Sequence, residues 1–104
     1  MNTSEVIESM VREIVTRFDP ERIILFGSQA RGDAVAESDV DLLVVMPDGV
    51  NRRKTAIAIL NVLSDMPLPK DVLVTTAHEI ATRGKVVATV LHNALSEGKE
   101  LYAR

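Results

Sequence analysis

Residues Arg22-Ile23-Ile24-Leu25-Phe26-Gly27-Ser28-Gln29-Ala30-Arg31-Gly32-Asp33 and, a little further on, Ser38-Asp39-Val40-Asp41-Leu42-Leu43-Val44-Val45-Met46 decide how this chain folds. Arg22 to Phe26 is a short, mostly apolar run, the pattern of a buried strand. Gly27-Ser28 breaks it. Residues 29–38 are small and polar and build no core element. Val40 to Met46 is a second strand, closed by the turn residues Pro47-Asp48-Gly49. Side chains alternate along a strand, so Asp39 and Asp41 share one face. Val40, Leu42 and Val44 then take the other face, toward the core.

Upstream, residues 4–18 read as an amphipathic helix. Ile7, Met10, Val11, Ile14, Val15 and Phe18 follow a three-four spacing, with Glu8, Arg12 and Glu13 outside. Asn2 and Glu5 suit a capping box, and Asp19-Pro20 ends the helix. Downstream, residues 51–64 look helical, with Ala56, Ile57, Leu60 and Leu63 on one face. Pro67 and Pro69 bracket a loop, and Asp71 to Thr75 is a third strand. Residues 77–83 and 85–97 read as one helix or two, with Val87, Val90, Leu91, Ala94 and Leu95 inward. Gly98 is placed to cap that helix, and Leu101-Tyr102 adds a short terminal strand. Helices alternate with strands, which predicts an α/β or α+β fold, a sheet backed by helices. The pattern leaves the strand order open.

Two carboxylates side by side repel each other. A bound divalent cation relieves that repulsion, and Mg²⁺ is typically held by one or two carboxylates plus substrate phosphates. Asp39 and Asp41 therefore predict a metal site. The plainer alternative, an acid that caps a turn at Ser38-Asp39, accounts for Asp39 but not for Asp41 inside an apolar strand. If the third strand lies beside the second, Asp71 completes a three-carboxylate site; otherwise it is a solvated strand-end acid near Lys70. Such a site would hold one or two ions, a pair standing ~3.5–4 Å apart. Gly27-Ser28 ends a strand and opens a turn whose N–H groups suit a phosphate. Alone, that dipeptide would be an ordinary strand end; just before a carboxylate pair it predicts a phosphate grip. Arg31 either reaches a phosphate or fixes the loop by pairing with Asp33 or Glu37.

Other features speak more softly. Arg52-Arg53-Lys54 opens the middle helix, where cations are mildly unfavourable. The cluster suits nucleotide phosphates, an acidic partner or simply solvent. His78 and His92 lack metal-ligand spacing, and Tyr102 suits packing.

Composition narrows the function. The chain has 104 residues, which predicts one domain over 1–104. Hydrophobic residues at 46% suit a packed core rather than disorder. There are no cysteines, which excludes disulfides and thiolate metal sites. No apolar run approaches the ~20 residues of a membrane span, and no signal peptide is visible. The cytoplasm is therefore the expected compartment. A net charge of −3 and 3% aromatics argue against direct nucleic-acid binding.

Gly27-Ser28, then ten residues, then Asp39-x-Asp41 resembles the signature of the polymerase-beta-like nucleotidyltransferases. The fuller string Gly27-Ser28-Gln29-Ala30-Arg31-Gly32 with Ser38-Asp39-Val40-Asp41-Leu42 is similar to their minimal nucleotidyltransferase branch. The leading helix, Phe26, Asp71 and the closing Glu97-Gly98-Lys99-Glu100-Leu101-Tyr102 extend the likeness over nearly the whole chain. The resemblance implies a small mixed sheet backed by helices. In it, Gly27 and Ser28 would hold the triphosphate of ATP, Asp39 and Asp41 would bind Mg²⁺, and Asp71 would help activate the acceptor. It further implies an antitoxin that transfers AMP to a tyrosine of a HEPN-type ribonuclease toxin, its partner. Two other readings stay open: an antitoxin that neutralises by binding alone, and a transferase to a small molecule. Homo- or hetero-oligomers are left open as well.

Overall fold

Asn2 starts the first helix as the sequence predicts. Its side chain accepts from Glu5 N–H, and the Glu5 carboxylate returns to the Asn2 N–H. In the computed structural model, which describes residues 2–32, 39–83 and 89–104, this helix is α1, Thr3–Phe18. Asp19 closes it in the left-handed conformation at φ 51°, its N–H bonded to Val15 O. Then follow β1 (Arg22–Phe26), the single turn α2 (Ser28–Arg31) and β2 (Val40–Met46). Next come α3 (Arg52–Val62), β3 (Lys70–Thr76), α4 (Ala77–Arg83), α5 (Val90–Glu97) and β4 (Lys99–Ala103). The chain is thus an α/β fold around one mixed sheet.

The strands lie in the order β3-β2-β1-β4. β1 runs antiparallel to both β2 and β4, whereas β2 and β3 are parallel. A parallel pair needs a crossover, and α3 supplies it. Val40, Leu42, Val44 and Met46 of β2 join Ile23, Leu25, Val72 and Val74 on one face, beneath Met10 and Ile14 of α1, Ile59 of α3 and Leu63 just after it. On the other face Ile24 and Leu43 meet Leu91 and Ala94 of α5, with Phe26, Leu73 and Ile80 around them. Both faces are covered, which is why β2 is apolar almost without alternation.

Two expectations change, an open choice between one helix and two is resolved, and Gly98 caps its helix in another conformation. Ile57 does not face the core; it is 51% exposed, and Ile59 is buried instead. The buried stripe of α3 runs Ala56, Ile59, Leu60 and Leu63, so Ile57 falls one step off it. Val90 is 60% exposed at the first turn of α5, off the stripe of Leu91, Ala94 and Leu95. The last helix begins at Val90, capped by the Thr89 side chain, so α4 and α5 are two helices; Val87 lies outside the described residues. Gly98 is extended, at φ −75° and ψ 158°, not left-handed. Its glycine serves close packing: a Cβ there would stand 2.3 Å from both Ala94 O and Ile24 Cγ2.

Candidate functional site

The registers of the sheet bring the sequence-predicted acids together. Phe26 pairs with Asp41 across β1 and β2, and Asp41 pairs with Asp71 across β2 and β3. The end of β1, the start of β2 and the start of β3 therefore meet at one end of the sheet. Asp39 sits just before β2, one alternation away from Asp41.

Gly27 follows β1 directly and begins the turn of α2. Its φ of 72° and ψ of −157° lie in a region essentially reserved for glycine. The missing side chain matters as much as the angle. A Cβ on Gly27 would stand 2.3 Å from Asp41 Oδ2. The turn itself is closed by N–H donations from Ala30 and Arg31 to Gly27 O and from Gly32 to Ser28 O, each at 3.1 Å. Gly27, Ser28 and the Asp41 carboxylate are thus immediate neighbours.

Asp41 is half-buried, while Asp39 and Asp71 are exposed. Burial pushes the Asp41 carboxyl above its ordinary 3.8, and the charges of Asp71 and then Asp39 push the same way. Arg31 opposes them. Asp71 turns one oxygen back to its own strand, where Oδ1 accepts from Val72 N–H at 3.0 Å. Among the described residues, no three carboxylate or imidazole side chains stand close enough to share one ion. The donor set nevertheless fits a hard divalent cation. It is all oxygen, and its central member is half-buried and repelled by two others. The two outer carboxylates are exposed.

Arg31 Nη1 lies 3.6 Å from Glu97 Oε2 at the end of α5. Sequence reasoning missed Glu97, since no local spacing links it to Arg31. The signal lay in Gly98, which lets α5 end against Ile24 and Leu25 of β1, and so seats Glu97 near α2. Asp33, Glu37 and Ser38 lie outside the described residues.

The basic cluster falls elsewhere. A cleft of about 560 Å³ joins Arg52 to Thr76, His78 and Glu79 at the opposite end of the sheet. There Arg52 pairs with Glu79, which also accepts from the buried Thr75 hydroxyl. Asp71 and Thr76 lie at or next to the two ends of β3, about 16 Å apart at ~3.3 Å per residue. Arg52 thus lies toward the end of β3 away from Asp71. His78 donates its N–H to Asp48 Oδ1, and Tyr102 packs on the main core, so neither joins the carboxylates.

Known proteins resemble this chain in sequence and in fold. The family model of the nucleotidyltransferase domain matches residues 7–99. A Methanocaldococcus jannaschii protein named "putative protein adenylyltransferase" is 37% identical over 79 residues, which span 71% of this chain and 76% of that one. A crystal structure named "putative nucleotidyltransferase", from Sulfolobus solfataricus, superposes with a TM-score of 0.66 at 22% identity, over 96% of this chain and 79% of that one. One chain of a crystal structure of a toxin–antitoxin with AMP-PNP superposes at 0.53 and 23% identity, over 98% of this chain and 74% of that one. No helix among the described residues is long and apolar enough to cross a membrane.

Proposed function

This chain belongs to the nucleotidyltransferase domain family, and we propose that it is an antitoxin that transfers AMP from ATP to a tyrosine of a HEPN-type toxin. The observation that carries the reading is the contact of Gly27 with Asp41. It sets the start of the Gly27-Ser28 turn directly against a half-buried carboxylate that two further acids repel. The curated relative named as a protein adenylyltransferase supports a protein acceptor. The toxin–antitoxin likeness adds the partner class and an ATP analogue, through the fold.

In this mechanism the triphosphate lies on the turn that opens at Gly27, held by backbone N–H groups and the Ser28 hydroxyl. Asp39 and Asp41 would hold Mg²⁺, with Asp71 as the third carboxylate. When bound, the ion supplies charge neutralisation for the phosphates and the attacking oxygen. Asp71 orients the acceptor hydroxyl and draws off its proton. The hydroxyl oxygen attacks the α-phosphorus in line, the bond to the bridging oxygen breaks, and pyrophosphate leaves. Arg31 neutralises phosphate charge, drawn from its pair with Glu97. Most of the rate gain comes from positioning and fixed charge.

The test is incubation of the protein with α-labelled ATP, Mg²⁺ and a HEPN-type toxin as acceptor. Label should pass to a tyrosine of that protein, and Asp41→Ala should abolish transfer. Equal labelling by wild type and Asp41→Ala would overturn the reading. The rotated carboxylate of Asp71 favours one second reading, an antitoxin that binds its toxin without modifying it. An Asp39→Ala, Asp41→Ala variant that still protects cells at normal expression would establish that reading instead.

A further inference from the structure

β3 is an outer strand of the sheet, with no further strand beside it among the described residues. The N–H of Val72 is met by the carboxylate of its neighbour Asp71, at 3.0 Å, rather than by another strand. Val74 repeats its direction two residues on. Along this edge runs a groove of about 440 Å³, lined by Arg52, Arg53, Ala56 and residues Val72, Leu73 and Val74. Arg52 is neutralised by Glu79. Arg53 and Lys54 are exposed, and neither has a carboxylate partner among the described residues. Ile57 stands one turn beyond Arg53 on the same helix face and is 51% exposed.

An open strand edge asks for main-chain donors and acceptors, and the apolar wall asks for alternate apolar side chains. The two uncompensated cations ask for negative charge. Nucleic acid meets only the last demand. We propose that the open edge of β3 docks an extended, acidic segment of the protein acceptor as an added strand. The proposal rests on the reading that the acceptor is a protein.

The edge also leads to the carboxylates. Asp71 lies about 10–16 Å along it from the basic end, at ~3.3 Å per residue. A segment whose acidic end sits on Arg53 and Lys54 therefore carries a side chain roughly three to five residues onward up to Asp71. Pairing with the Val72 N–H replaces the Asp71 carboxylate there and leaves it free to turn toward Asp41. Docking would thus help assemble the site that acts on the docked chain.

The test uses a fluorescent peptide of alternating valine and threonine with a run of glutamates at its N-terminus. It is expected to bind and to slow amide exchange at Val72 and Val74. Arg53→Glu combined with Lys54→Glu should weaken binding about tenfold or more without changing the thermal melt. Equal binding by a peptide with lysines in place of the glutamates, or protection away from β3, would overturn the proposal. So would concentration-dependent protection without peptide, which would mean that a second copy occupies the edge. Transfer to a protein acceptor that continues unchanged in the charge-reversed variant would reject docking and keep the transferase. Peptide protection at β3 without transfer to any protein would keep docking and reject the transferase.

Discussion

At Gly27 two demands fall on one atom position. The backbone angle suits only glycine, and a Cβ would collide with Asp41 Oδ2. Gly27→Ala is expected to cost about 1–3 kcal/mol in urea unfolding and to displace the Asp41 carboxylate, so transfer should fall more steeply than stability. Wild-type behaviour in both assays would contradict the contact. Asp41 carries a pH signature. Burial, then Asp71 and Asp39, hold its carboxyl above 3.8 in the folded protein. The folded state therefore keeps this proton to higher pH than the unfolded chain. Its contribution to stability is whole below the unfolded value and is lost as pH rises through the folded one. In magnesium-free buffer, Asp41→Asn should melt higher than wild type at neutral pH, and the two should converge in acid. Added Mg²⁺ should raise the wild-type melt more than that of the variant. Asp41 was legible in the sequence because an acid inside an apolar strand needs a reason. The Glu97 partner of Arg31 was not, because only the packing of α5 on β1 brings the two together.

Among the elements, α1 was the most legible. Its stripe, its capping box and its stop at Asp19-Pro20 all agree, and all are local. Asn2→Ala should lower stability by about 1 kcal/mol, read by chemical denaturation. α3 and α5 were less legible, since an apolar stripe gives a helix its inner face only to within one residue. Ile57 and Val90 were placed inside on that spacing, yet the sheet takes Ile59 and Leu91. Gly98 shows a different limit. A glycine after a helix suggests a left-handed cap, but here the close approach of Ala94 O and Ile24 Cγ2 is what excludes a side chain. Gly98→Ala should cost about 1–3 kcal/mol through overpacking. Because α5 carries Glu97, amide exchange should also quicken through α5. A variant as stable as wild type would mean that the two elements are not so tightly apposed.

For the molecule as a whole, the sheet order decides whether the motif is a site. The sequence offered one strand ending in Gly27-Ser28 and two beginning with acids, but not their adjacency. The register Phe26–Asp41–Asp71 follows from placing β2 between β1 and β3. Strand order is set by which faces the helices cover, a long-range outcome that no local window contains. The same order puts Arg52 and its neighbours at the far end from Asp41, which separates the cation cluster from the phosphate grip. The most direct test is a crystal structure of the protein with Mn²⁺ and a non-hydrolysable ATP analogue, its metal located by anomalous scattering. The account predicts a peak bridged by Asp39 and Asp41, with a terminal phosphate on the turn at Ser28. A nucleotide lodged in the cleft beside Arg52 and Glu79, with no metal at Asp41, would contradict it.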